Sequence, residues 1–126
     1  MKKLLSFFII LSFVNFVNAQ SFCLKNAKGD CLKIDIVNNK KAIVSYEMAK
    51  DVINLIFVKI KTLQTSPHPI DSYYYNEIIN KRITGLYVLT YSGNTISLTY
   101  KKATGKITYL YEGYRTESGD CDCRNL

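Results

Sequence analysis

Four cysteines are the residues of this chain best suited to covalent work: Cys23 and Cys31 near its start, Cys121 and Cys123 near its end. In a small exported domain, four cysteines read as two disulfides. A bridge within Cys121-Asp122-Cys123 would close a strained ring. Two connectivities remain, Cys23–Cys121 with Cys31–Cys123 or Cys23–Cys123 with Cys31–Cys121, and both tie the N-terminal segment to the C-terminal one. Closing a loop of roughly 90 to 100 residues stabilises a fold by ~4 kcal/mol on the chain-entropy argument. Thiol exchange and zinc binding are the competing chemistries. The Cys-x-Cys pair lies at the extreme tail, and the spacing of the four matches no familiar zinc motif. No metal and no cofactor is expected.

Other reactive groups are sparse. His68 is the only histidine and stands between Pro67 and Pro69, as an exposed loop residue would. One histidine cannot supply both a base and further ligands. The carboxylates Asp51, Asp71, Glu77, Glu112 and Glu117 are scattered singly. A glycosidase needs two facing each other across a cleft, and no spacing here brings Glu77 and Glu112 together. Phosphate-cradling glycine loops, nucleophile elbows and dinucleotide fingerprints are missing. The chain reads as non-enzymatic.

Binding chemistry is better represented. The chain has ten tyrosines and no tryptophan. Tyrosine rings stack on sugar faces and are favoured at protein interfaces. In a tryptophan-free chain, Tyr87, Tyr91, Tyr100, Tyr109 and Tyr111 serve equally well as core aromatics. Tyr73, Tyr74 and Tyr75, beside the proline loop, are the best binding candidates, because three adjacent side chains cannot all point inwards on a strand. Lys101, Lys102 and Lys106 cluster at a hairpin tip and could grip an acidic glycan or partner. Lysines in such places also keep sheet edges soluble.

The segments that carry these groups begin after a leader. Lys2 and Lys3, the apolar run Leu4 to Val17 and the small-residue site Val17-Asn18-Ala19 form a secretory signal over residues 1–19. Phe22 before Cys23 argues against a lipid anchor. The expected product is one exported domain over residues 20–126, secreted or periplasmic, with no stable membrane span. Losing Lys2 and Lys3 lowers the formal charge from +7 to +5. Nucleic acid is an improbable partner outside the cytoplasm.

Alternation of period two dominates the chain beyond the leader. Leu32, Ile34 and Ile36, then Ala42, Val44 and Tyr46, predict a hairpin turning at Asn38-Asn39. Val52 to Lys61 predicts a strand with Ile56, Val58 and Ile60 on one face and Phe57, Lys59 and Lys61 on the other. Residues 71–81 are expected as a short helix capped by Asp71, on the pairs Tyr74–Ile78 and Tyr75–Ile79, with a strand as the alternative. Ile83 to Arg115 predicts a three-stranded meander. A type II′ turn at Gly93-Asn94 sets Tyr91 opposite Ile96, Leu89 opposite Leu98 and Tyr87 opposite Tyr100. A four-residue loop from Lys102 to Gly105 would set Tyr100 opposite Ile107, Leu98 opposite Tyr109 and Ile96 opposite Tyr111. Apolar Leu86, Val88, Leu110 and Tyr114 on the other face favour two-sided burial.

The expected fold is all-β with one short helix at most, a small antiparallel barrel or sandwich ending in a meander, its termini tied by disulfides. The expected function is a non-enzymatic binding module for a protein or cell-surface partner. A carbohydrate or polyanion binder using tyrosines and lysines is the alternative. An inhibitor of a cell-wall hydrolase stands behind it: Ser92-Gly93-Asn94 begins like such an inhibitory loop, but Thr95 stands where its tyrosine should follow.

Overall fold

In the computed structural model, which describes residues 20–64 and 68–115, every regular element is a strand. The order is β1 (Gln20–Lys25), β2 (Cys31–Ile36), β3 (Lys41–Tyr46), β4 (Ile53–Leu63), β5 (Ile70–Ile79), β6 (Arg82–Ser92), β7 (Thr95–Lys102) and β8 (Thr108–Tyr114). Each strand pairs antiparallel with the next, and β8 returns to β1, so the sheet closes into an up-and-down barrel of eight strands. Closure leaves no continuous edge for another chain to pair with. Among the described residues no helix is long and apolar enough to cross a membrane.

The inward row of each strand fills the barrel. Phe22 and Leu24, Leu32 and Ile34, Ala42 and Val44, Leu55, Tyr75, Tyr87 and Leu89, Ile96 and Leu98, and Tyr111 form one buried cluster. Every second residue is inside because successive side chains alternate across a strand. An eight-stranded barrel is just wide enough for side chains to fill it. Lys33, Asp35, Lys59, Lys101 and Glu112 fall on the other register face, the reverse of the pattern a lipid-facing barrel carries.

The β6–β7 hairpin has the register expected from its turn: Tyr91 pairs with Ile96, Leu89 with Leu98 and Tyr87 with Tyr100, and Gly93 has φ +58°. The β2–β3 hairpin also stands as expected. Four expectations are corrected. Residues 71–81 form no helix, because Tyr73, Tyr75 and Glu77 supply an inward row at period two, and packing across the barrel outweighs pairs at i, i+4. A left-handed pair, Asn80 and Lys81 at φ 51° and 64°, turns β5 directly into β6.

The second correction concerns β8, which is displaced by two residues from the expected register. Tyr100 pairs with Tyr109, Leu98 with Tyr111 and Ile96 with Gly113. The faces are unchanged, but Ala103 to Ile107 become the connection and Ile107 is exposed. Third, a bulge after Phe57 splits the alternation expected of β4. Phe57 packs against the core, whereas Lys59 and Lys61 both reach across the outer face to Tyr74. Fourth, Leu86, Leu110 and Tyr114 stay exposed, so the barrel is filled from its inside alone.

Closure depends on a glycine. A Cβ at Gly113 would stand 2.7 Å from Leu24 Cδ2 and 2.8 Å from the Cys23 carbonyl oxygen. Only a residue without one lets β8 approach β1, where Lys25 and Glu112 form the ladder pair. Gly113→Ala should therefore lower stability by about 1–3 kcal/mol in urea unfolding, as overpacking does. Gly105→Ala, whose added Cβ meets nothing nearer than 3.4 Å, should change it by less than about 0.5 kcal/mol.

Candidate functional site

The strands differ in height. β1, β2 and β3 have 6 residues each, whereas β4, β5 and β6 have 11, 10 and 11. The excess projects at the end that holds the start of β1, the end of β2, the start of β5 and the end of β8. There the inward rows outrun the packed core and leave a cup of about 220 Å³, lined by Gln20, Ile36, Asp71, Tyr73, Tyr75, Tyr91 and Arg115. Mouths of small barrels are common places for ligands.

Asp71, Tyr73 and Tyr75 stand on consecutive inward positions of β5, and Tyr91 pairs with Asp71 across the ladder. Their rings continue a chain of edge-on and tilted contacts from Phe22 through Tyr91, Tyr73 and Phe57 to Tyr75, with centroids 5.4 to 6.3 Å apart. Such contacts fix the rings in place. Arg115 closes the far side. Its backbone N–H donates to the Asn94 carbonyl at 2.8 Å, Nη1 donates to the Gly93 carbonyl at 3.5 Å, and the guanidinium lies 5.0 Å from the centre of the Tyr91 ring. Asp71 Oδ1 accepts from Thr62 Oγ1 at 2.8 Å. Asp71 and Arg115 form no ion pair with each other.

The other end of the barrel is polar inside. Glu77, only 3% exposed, accepts from Thr84 Oγ1 at 2.8 Å and from the Tyr100 hydroxyl at 3.0 Å. Gly85 leaves the space that the Tyr100 ring occupies. The Tyr46 and Tyr87 hydroxyls share a hydrogen bond of 2.6 Å, and Tyr87 stacks on Tyr100 at 4.4 Å. No buried side-chain nitrogen or oxygen among the described residues lacks a partner. The network completes the core around Glu77 and Tyr87, with Tyr46, Thr84 and Tyr100 half-buried at its edge.

The structure divides the residues singled out from the sequence. Tyr73 and Tyr75 line the cup. Tyr74 lies on the outer face, with the Lys59 and Lys61 ammonium groups 5.0 and 5.7 Å from its ring centre. Lys101, Lys102 and Lys106 sit around the β7–β8 connection, at the end of the barrel opposite the cup. Glu77 points inwards and Glu112 outwards, so they share no cleft. His68 rests against the Gly93 turn. No group of three metal-ligating side chains occurs among the described residues. Residues 1–19, expected as a leader, and Glu117, Cys121 and Cys123 lie outside the described residues.

Asp71, Tyr91 and Arg115 are site residues that the sequence alone does not single out as such. Asp71, Tyr73 and Tyr75 do form a period-two row, which a strand reading of this segment would put on one face. Nothing local marks Arg115. No family model, curated protein or solved structure matches the chain.

Burial controls the tyrosine hydroxyls. It pushes Tyr46 and Tyr75 from the ordinary 10.0 up to about 12, and it raises Tyr87, Tyr91, Tyr100 and Tyr111 as well. Neighbouring tyrosines and Glu77 add to the rise in Tyr87 and Tyr100. Because these phenols hold their protons more tightly folded than unfolded, stability is full below pH 10. It falls as pH rises from there through about 12. Phenolate absorbance should show Tyr46, Tyr75 and the other buried tyrosines ionising above pH 10, together with loss of the fold. Ionisation of Tyr46 and Tyr75 at pH 10 with the fold intact would contradict this.

Proposed function

We propose that this chain is an exported, non-catalytic binding module and that the open mouth of its barrel is the binding surface. The aromatic cup carries this reading: three tyrosine rings set by edge contacts, with one carboxylate and one guanidinium turned towards the same space and not paired together. The polar residues that could support acid–base chemistry are otherwise spread singly around the barrel. Export rests on the leader-like pattern of residues 1–19 and on the cysteines.

The termini are proposed to be joined by disulfides from Cys23 and Cys31 to Cys121 and Cys123. Cys23 pairs with Lys33 and Cys31 with Lys25, so both cysteines fall on the outward register face as diagonal neighbours. Cys31 is only 3% exposed despite that position. β8 ends beside β1, within reach of the same face. Alkylation of the unreduced protein should label no cysteine. Digestion should release the peptide holding Cys23 and Cys31 joined to the one holding Cys121 and Cys123. Four labelled thiols would refute the clasp.

A second reading is carried by Tyr74, whose ring two lysines overhang on the outer face. It makes that patch a site for a polyanion. Capture experiments with the immobilised protein separate the two. A mouth ligand should be lost at least tenfold in Tyr91→Ala and be retained in raised salt. A polyanion should be lost in raised salt and in Lys59→Glu with Lys61→Glu. A ligand indifferent to all three substitutions would exclude both surfaces.

A further inference from the structure

The cup also states what kind of ligand it suits, an inference that rests on reading the mouth as the binding surface. We propose that it receives a single neutral sugar ring, as the terminal unit of a glycan presents it.

Size is the first argument. The cup has a volume of about 220 Å³. That lies below the ~300–1,000 Å³ of pockets that enclose drug-sized molecules. One six-membered ring with its substituents fits that space.

Charge is the second. Asp71 and Arg115 place one negative and one positive group around the same small space, without an ion pair between them. A simple anion would gain Arg115 and meet Asp71, and a simple cation the reverse. A neutral ring bearing several hydroxyls uses both: its O–H groups donate to the carboxylate and its oxygens accept from the guanidinium. Hydrogen bonds with one charged partner are the stronger kind and carry no net charge into the site.

Preorganisation is the third. Arg115 is held by its backbone bond to Asn94, by its contact with the Gly93 carbonyl and by the Tyr91 ring beneath it. A guanidinium has five N–H donors, so most remain for a ligand. Thr62 occupies Oδ1 of Asp71 and leaves Oδ2 to accept. Gln20, at the rim, adds an amide with both donor and acceptor.

The rings supply the fourth. A pyranose has a face of C–H bonds that packs on an aromatic surface, and Tyr73, Tyr75 and Tyr91 line the cup from the tall side of the barrel. Burial holds the Tyr75 hydroxyl to about 12 and raises that of Tyr91, so both stay protonated and able to donate at ordinary pH.

A single ring so held should bind weakly, on the order of millimolar, given the modest efficiency per atom of polar ligands. Amide chemical shifts of the exported, oxidised chain, titrated with methyl glycosides of common hexoses, test this. Glycine and inorganic phosphate serve as zwitterionic and anionic probes. At least one glycoside should move the amides of Asp71, Tyr73, Tyr75, Tyr91 and Arg115 saturably. Its affinity should fall at least tenfold in Asp71→Ala and in Arg115→Gln, each with an otherwise unchanged spectrum. Saturation by glycine or phosphate but by no glycoside would overturn the sugar assignment and leave the mouth as a binding surface. Silence of the mouth amides towards every probe, with glycosides shifting other residues or none, would overturn both.

Discussion

The approach of β8 to β1 governs everything else in the molecule. Seven hairpin connections can build a curled sheet, but only the contact of Gly113 with Leu24 and the Cys23 backbone turns that sheet into a barrel. The contact is long in sequence and narrow in space, so the chain must order most of itself before gaining it. Once made, it encloses the inward rows of all eight strands and places Arg115 across from β5. The hydrophobic filling then holds the circle from inside.

One set of physical rules produces both ends of the barrel. Where the strands match in height, inward polar groups are enclosed and satisfied, as Glu77 is by Thr84 and Tyr100 and Tyr46 is by Tyr87. Where β4, β5 and β6 outrun β1 and β2, the same inward row has no opposite wall. Asp71, Tyr73 and Tyr91 then border a space as well as their packed neighbours. The cup is a by-product of unequal strand length, and its polar rim is set by the residues that β5 and β8 happen to place there. The bulge after Phe57 helps, since it lets the tall part of β4 turn Lys59 and Lys61 outwards while Phe57 stays with the core.

Local pattern carried a large part of the fold. The β2–β3 hairpin and the β6–β7 register were legible because alternation and a two-residue turn are short-range signals, and Gly93 sits where a positive φ is required. The segment from Asp71 to Lys81 was not, because adjacent tyrosines satisfy helical and extended spacings alike until the barrel supplies an inside. The β8 register was missed by two residues because the turn after β7 constrains it less than the need to bring Gly113 against Leu24. The site was least legible. Tyr73 and Tyr75 were in view, but Arg115 joins them only through closure, some forty residues along the chain.

Because the enclosure of the core and the geometry of the mouth both arise from the β1–β8 seam, that seam is the place to probe. A nuclear Overhauser spectrum of the folded chain should show the δ-methyl protons of Leu24 close to the α protons of Gly113. A spectrum in which Leu24 is near the β2 and β3 core residues but shows no approach to Gly113 would mean an open sheet, and the cup would not exist.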